Sequence, residues 1–267
     1  MNEWIMQHEV AIRLSCFFGI LGLMAVWEII GPCRALTASK TVRWINNLGL
    51  VFLNSFLLRL LFPIAAISLA IVAEQQQWGI LNQFNLPQWL AIILAIVLLD
   101  GVIYLQHVLF HALPLLWRLH RMHHADVDID VTTGLRFHPI EMILSMLIKF
   151  ATIMLLGPPA VAVILFEVIL NGMAMFNHSN IALPKKLDGW LRWLIITPDL
   201  HRVHHSVIVE EINSNFGFNL SIWDRLFGTY QAQPKLGHQG MQIGLDYFRE
   251  SKFLTLHWLL ALPFLKR

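Results

Sequence analysis

Charge is scarce in this sequence. Asp, Glu, Lys and Arg make up 13% of its 267 residues, against about 25% in an ordinary soluble domain. The formal net charge is only +2, and no basic run with interleaved aromatic residues occurs, which argues against a nucleic-acid partner. Cysteine is scarcer still. Cys16 and Cys33 are the two present, both lie near the start, and Cys16 falls inside an apolar segment. A disulfide framework and a Cys-based zinc site are therefore excluded as organising features. The opening residues contain Glu3 and Glu9 and lack both a basic leader and a small-residue cleavage site. The first apolar run is accordingly read as a retained helix. No GxSxG nucleophile elbow is present, which argues against a serine lipase.

Apolar residues, at 57%, and histidine, at 13 residues, are abundant. A spanning helix needs about 20 mostly apolar residues. Residues 11–30 and 48–72 qualify, and residues 89–116 run long enough for the last turns to emerge from a bilayer. Residues 140–176 are interrupted by Gly157-Pro158-Pro159, which suits a hairpin of two short helices. The loop at 31–47 carries Arg34, Lys40 and Arg43 with no acid, while the loop at 74–88 carries no base. By the positive-inside rule the first loop is cytosolic and the N-terminus lies outside. Residues 253–264 read as an amphipathic piece on the membrane surface. Arg59 and Asp100 each fall near the middle of a span, where a lone charge is costly, and are expected to pair.

Ten of the histidines fall in two stretches of the chain, at 107–138 and 178–205. His107 and His111 are four apart, so a helix puts them on one face. His120, His123 and His124 have the spacing i, i+3, i+4, and His201, His204 and His205 repeat it. Any one of these could be packing. Three such faces on one side of a membrane point to metal, because neutral imidazole suits Fe, Zn and Cu. Unmetallated, so many buried rings would lack partners. Two ions could each take about four nitrogens and keep a position open.

These residues resemble the fatty acid hydroxylase/sterol desaturase superfamily of membrane-bound, histidine-rich di-iron oxygenases. The matching elements are HxxxH at His107 and His111, and HxxHH at His120–His124 and His201–His205. The surroundings match too: Trp117-Arg118-Leu119, Arg136-Phe137-His138-Pro139-Ile140-Glu141, Asn177-His178-Ser179-Asn180, Thr197-Pro198-Asp199-Leu200, Asn215-Phe216-Gly217 and Trp223-Asp224-Arg225-Leu226-Phe227-Gly228-Thr229. The likeness covers residues 100–230.

The resemblance implies an all-α membrane bundle with a cytosolic dimetal cap: helices at 1–99, the dimetal domain at 100–230 and a tail at 231–267. It implies two Fe ions (Zn as purified is compatible), O2 as co-substrate, a lipid substrate and electrons from a separate carrier protein. It adds His178 as a ninth metal ligand. Some members have a further histidine four residues earlier, where this chain has Ala174. His138 is expected to support a ligand or serve structure. Asp199, Asn215, Asn219 and Asp224 are expected to fix ring orientations, with capping and turn roles as the alternatives. Asp126, Asp128 and Asp130 read as a solvated loop face, and His8, His238 and His257 as surface or interfacial residues. Desaturation in place of hydroxylation, a zinc-dependent lipid hydrolase, and a membrane metal-binding or transport protein are the other readings.

Overall fold

The computed structural model describes residues 2–62 and 64–266. Among them no β-strand occurs, only isolated bridges between loops. Helices α1 (Asn2–Gln7), α2 (Glu9–Ile30), α3 (Lys40–Leu61), α4 (Ala66–Gln75) and α5 (Gln88–Ala112) lead into α6 (Pro114–His124). Then follow α7 (Pro139–Leu156), α8 (Ala160–Asn177), α9 (Lys185–Leu191) and α10 (Pro198–His204). The short α11 (Val209–Ile212), α12 (Ile222–Leu226), α13 (Gly237–Gly240) and α14 (Leu256–Ala261) complete the chain.

Five stretches are long and apolar enough to cross a membrane: Glu9–Ile30, Lys40–Gln83, Gln88–Ala112, Pro139–Leu156 and Ala160–Asn177. Their outer faces are apolar, with Phe18, Leu23, Phe52, Phe56 and Leu155 exposed. α8 is the central helix, packed by α2, α4 and α5, with Ala162, Val163, Ile164 and Phe166 fully buried. Within the second of these stretches the helix expected over 48–72 is divided in two, α3 ending at Leu61 and α4 beginning at Ala66. Phe62 takes φ −122° and ψ 80°, and the residue before a proline is disfavoured in the helical region. Pro63 could have been read as that stop.

The expected hairpin is present as α7 and α8. Gly157 ends α7 in the left-handed region at φ 62°. A Cβ on it would lie 2.1 Å from the Trp78 carbonyl oxygen, so only glycine lets this turn seat against the loop joining α4 and α5.

One further expectation is sharpened and one is corrected. Most of the apolar side of residues 253–264 packs inside the protein, while Phe264 stays exposed. Phe253, Leu254, Leu259 and Leu262 are buried, and Leu259 and Leu262 pack with Leu50 of α3 and Met122 of α6. Arg121 locks this end by donating to the carbonyls of Leu262 (2.8 Å) and Leu265 (2.7 Å). An amphipathic period says that a face is covered, not by what. Arg59 and Asp100 do not pair: Arg59 is exposed, while Asp100 is buried and holds the segment at 219–223.

Candidate metal centre

Four helix ends build the site. α5 carries His107 and His111 on successive turns near its end, and α6 starts two residues later with Pro114 at its first position. α6 supplies His120, His123 and His124. α10 is capped by Thr197, whose hydroxyl accepts from the Leu200 N–H (3.3 Å), and starts at Pro198. That cap and proline set the register that brings His201, His204 and His205 inward. His178 is the residue that closes α8.

These nine rings fall into two groups: His107, His111, His120, His124 and His204; and His123, His178, His201 and His205. Within each group one ring nitrogen per residue lies within 4.8 Å of all the others, the spacing of donors around one ion. All but His111 are buried, and His178 and His205 have no exposure at all.

The hydrogen bonds fix the tautomers. His107 Nδ1–H donates to the Phe216 carbonyl (2.8 Å), and His204 Nδ1–H to the Ser214 carbonyl (2.7 Å). His178 Nδ1–H donates to the Ala174 carbonyl (2.8 Å), His123 Nδ1–H to the Arg136 carbonyl (3.3 Å), and His120 Nδ1–H to Glu141 Oε1 (2.7 Å). Carbonyl and carboxylate oxygens only accept, so each of these five rings, in the neutral form that ligates a metal, keeps its lone pair on Nε2. Yet Nε2 of His107 lies 3.2 Å from Nε2 of His120, and Nε2 of His123 lies 3.1 Å from Nε2 of His178. Two lone pairs facing at that distance repel unless a cation lies between them. Further buried nitrogens have no partner: both of His124 and His205, Nε2 of His204 and Nδ1 of His201. Unpartnered buried donors and acceptors on this scale are not tolerated without a ligand. The donor set therefore fits two metal ions.

Electrostatics point the same way. Burial, reinforced by neighbouring imidazoles, holds His123, His124, His201 and His205 well below the ordinary histidine range. Burial brings His178 and His204 down to about 3. Neutral imidazole is the ligating form.

The other sequence candidates sit in three places. Asn215 and Asp224 shape the loop whose carbonyls orient His107 and His204. Asn215 adopts a left-handed φ of 50°, and its side chain donates to the carbonyls of Leu200 (3.0 Å) and Gln231 (2.8 Å). Asp224 accepts from the N–H groups of Phe216 (2.7 Å) and Gly217 (2.8 Å), and burial raises its pKa to about 6. Asn219 is one step further out, its N–H donating to Asp100 (3.3 Å). Asp199 and His138 touch no ring of either group. Asp199 accepts from Arg202 (2.5 Å) and lies 3.8 Å from His238, which is half-buried there. His138 caps α7, accepting from the Ile140 N–H (3.2 Å) while its Nε2 reaches the Leu260 carbonyl (3.2 Å). His8 and His257 are exposed.

Reading the residues missed two features. Glu141, in the first turn of α7, is the carboxylate that orients His120; its place three residues after the cap His138 and two after Pro139 was a visible signal. Asp126, Asp128 and Asp130 are buried, which corrects their assignment to a solvated face. Arg43, buried in α3, donates to Asp126 (2.7 and 2.9 Å) and Asp130 (2.5 Å). Asp128 accepts from the N–H groups of Thr37 and Ala38 (both 2.8 Å). Burial alone would raise the Asp126 carboxyl, but the Arg43 and Arg136 guanidiniums outweigh it and hold it below the usual range. Arg136, brought down to about 10 by burial, donates to the Met122 carbonyl (3.0 Å) and through its own carbonyl holds His123. No signal within the loop itself pointed to a cation 83 residues away.

The fatty acid hydroxylase family model matches residues 92–229, just over half of the chain. The chain is 30% identical over 177 residues to the ornithine lipid hydroxylase OlsE of Rhizobium tropici, covering 65% of this chain and 51% of that protein. It is 27% identical over 186 residues to the alkylglycerol monooxygenase of Homo sapiens, covering 67% of this chain and 40% of that one. The Danio rerio alkylglycerol monooxygenase is 34% identical over 141 residues, covering 52% and 30%. The chain thus spans about half or less of the curated relatives it matches, and no solved structure matches it.

Proposed function

The chain belongs to the fatty acid hydroxylase family, and from that premise we propose that it is a multi-pass membrane oxidoreductase that hydroxylates a lipid with O2 at a pair of iron ions. The observation that carries this is the convergence of Nε2 lone pairs in the two buried histidine groups. His107, His111, His120, His124 and His204 would hold one ion, and His123, His178, His201 and His205 the other. Asn215 and Asp224 support the set by shaping the carbonyl loop, and Glu141 by accepting from His120. When bound, the metal pair supplies the reduction of O2 and an oxidant strong enough for an unactivated C–H bond.

The chain's own residues do the rest. The Phe216, Ser214, Ala174 and Arg136 carbonyls and Glu141 hold each ring by its Nδ1–H and aim its Nε2, the orienting role that tunes ligand basicity. Burial excludes bulk water, which protects the reaction from side hydrolysis. His111 is the ring that is not fully buried, and it lines a pocket of about 200 Å³ with Trp117, Ile212, Asn213 and Tyr247. This is the way in for the reacting carbon and O2.

The two electrons that the reaction needs would come from an electron-carrier protein. The histidines are on the cytosolic face, where the positive-inside rule puts the loops bearing Arg118, Arg121 and Arg136. The names of the relatives favour hydroxylation over desaturation. A transporter would hold its ions at mid-bilayer in broken helices, whereas these rings gather at helix ends.

The test is growth of cells expressing the protein under 18O2, followed by lipid mass spectrometry. A lipid gaining one 18O atom, absent with His123→Ala, supports the proposal. A product two hydrogens lighter without label would make the enzyme a desaturase. Activity that persists anaerobically would overturn an oxygenase altogether.

A further inference from the structure

Three successive turns on one side of α5 carry the segment at 216–229. His107 donates to the Phe216 carbonyl. Tyr104 stacks on Phe227 at 5.3 Å and 15° and shares a hydrogen bond with Thr229 (3.0 Å). Asp100 accepts from the N–H groups of Asn219 and Leu220 and from Trp223 Nε1 (2.9 Å). From His107 to Asp100 is seven residues, about 10 Å of helix. The segment therefore runs down α5 away from the histidines, and α12 lies beside the middle of that helix. Residues 192–196 go with it: Ile196 N–H donates to the Asn219 carbonyl, Ser221 N–H to the Leu194 carbonyl, and Arg225 Nη2 to the Arg192 carbonyl.

The depth of this layer follows from helix lengths. α5 begins at Gln88, so His107 stands about 30 Å along it. The 18 residues of α8 put His178 about 27 Å from the start of that helix. Both match the thickness of a hydrocarbon core, about 30 Å. A layer 10 Å below the histidines is then within the acyl region.

The side chains turned outward there are large and apolar: Trp193 is 71% exposed, Leu194 67%, Leu226 66% and Ile222 55%. Trp190, at 81%, extends the patch. A soluble surface does not carry such a cluster without a partner. Lys185 and Lys186 are exposed on the first turn of α9. Arg225 lies against the rings of Trp193 (4.3 Å) and Tyr230 (4.0 Å), so its stem and charge are carried along aromatic faces in the manner of interfacial cations.

We propose that residues 185–195 and α12 form a wedge sunk into the leaflet on the histidine side, with Lys185 and Lys186 at the level of anionic head groups. The occupant of this face is lipid. The helix it packs on, α5, itself exposes Leu98 and Leu105, and the cations suit lipid phosphates. The wedge brings acyl chains up to the wall of the histidine clusters, and it rests on α5 spanning the bilayer.

The test uses the full-length chain with Cys16 and Cys33 changed to serine, reconstituted in nanodiscs containing anionic lipid. Nitroxide labels are placed one at a time through Trp193→Cys, Leu226→Cys, Leu98→Cys and Glu250→Cys, with metal content kept as the check of folding. Relaxation by O2 and by a water-soluble nickel chelate reads depth. The wedge predicts O2-to-nickel ratios at 193 and 226 equal to that at 98 and several-fold above that at 250. Ratios at 193 and 226 equal to that at 250, with 98 still shielded, would overturn it. Aqueous access at 98 as well would remove the spanning reading and the wedge together.

Discussion

The two histidine groups are built from the same residue but braced differently. In the four-histidine group every ring is buried, and two are held by carbonyls, those of Ala174 and Arg136. Behind Arg136 stands the buried Arg43–Asp126–Asp130 network. Gly134 closes the other side, where a Cβ would come within 2.3 Å of the Ala174 oxygen. The five-histidine group includes His111, partly exposed and lining a pocket, and its orienting groups come from a loop and from Glu141. One group is locked and the other has a door. In the dimetal enzyme proposed above, the five-histidine group is the one that a substrate could approach.

The largest expected effect comes from breaking the brace. Arg43→Leu leaves Asp126 and Asp130 buried without their cation, which should cost about 3–5 kcal/mol in urea unfolding and empty the four-histidine group first. A stability change under 1 kcal/mol would show the network to be incidental. Next, Glu141→Ala frees His120 Nδ1 and should weaken metal affinity about 10- to 100-fold, with Glu141→Gln recovering part of it. Competition with a chromophoric chelator measures this, and unchanged affinity would remove Glu141 from the site.

His111→Ala should halve the metal content at most, sparing the four-histidine ion, because the two groups share no ring. Loss of both ions in this variant would mean that the groups are one unit.

A fourth effect is that of acid on the metal-free protein. Rings whose folded pKa is depressed bind protons more readily when unfolded. Their stabilising contribution is present above the ordinary histidine value of about 6.5 and is lost as pH falls from there towards 3. Carboxyls raised by burial, such as Asp224 at about 6, work in the opposite sense, but the depressed histidines outnumber them. The urea midpoint should therefore fall between pH 7 and pH 5, above the range of ordinary carboxylates; a flat profile would contradict burial of neutral rings.

How much of this could be read from residues alone follows the distance over which each feature is encoded. The histidine faces were legible because helix periodicity makes residues three and four apart neighbours. So were the hairpin at Gly157 and the apolar stretches, which depend on local composition. The division of nine rings into two groups was not, since His204 joins α5 and α6 while His201 and His205 join α6 and α8. The aspartates after His124 alternate with apolar residues as a solvated loop would, and their burial depends on Arg43 arriving from another helix. Asp100 and Arg59 lay at similar depth in the sequence, but depth does not fix rotation about a helix axis. Asp100 faces the segment at 219–223, a contact across more than a hundred residues.

Metal content per chain of freshly purified, unchelated protein, set beside His123→Ala and His204→Ala, tests the dimetal centre most directly. About two iron ions per chain, with each variant losing the ion of its own group, is the result expected. No stoichiometric transition metal in the unaltered protein would contradict it and leave the facing Nε2 atoms without a cation to join them.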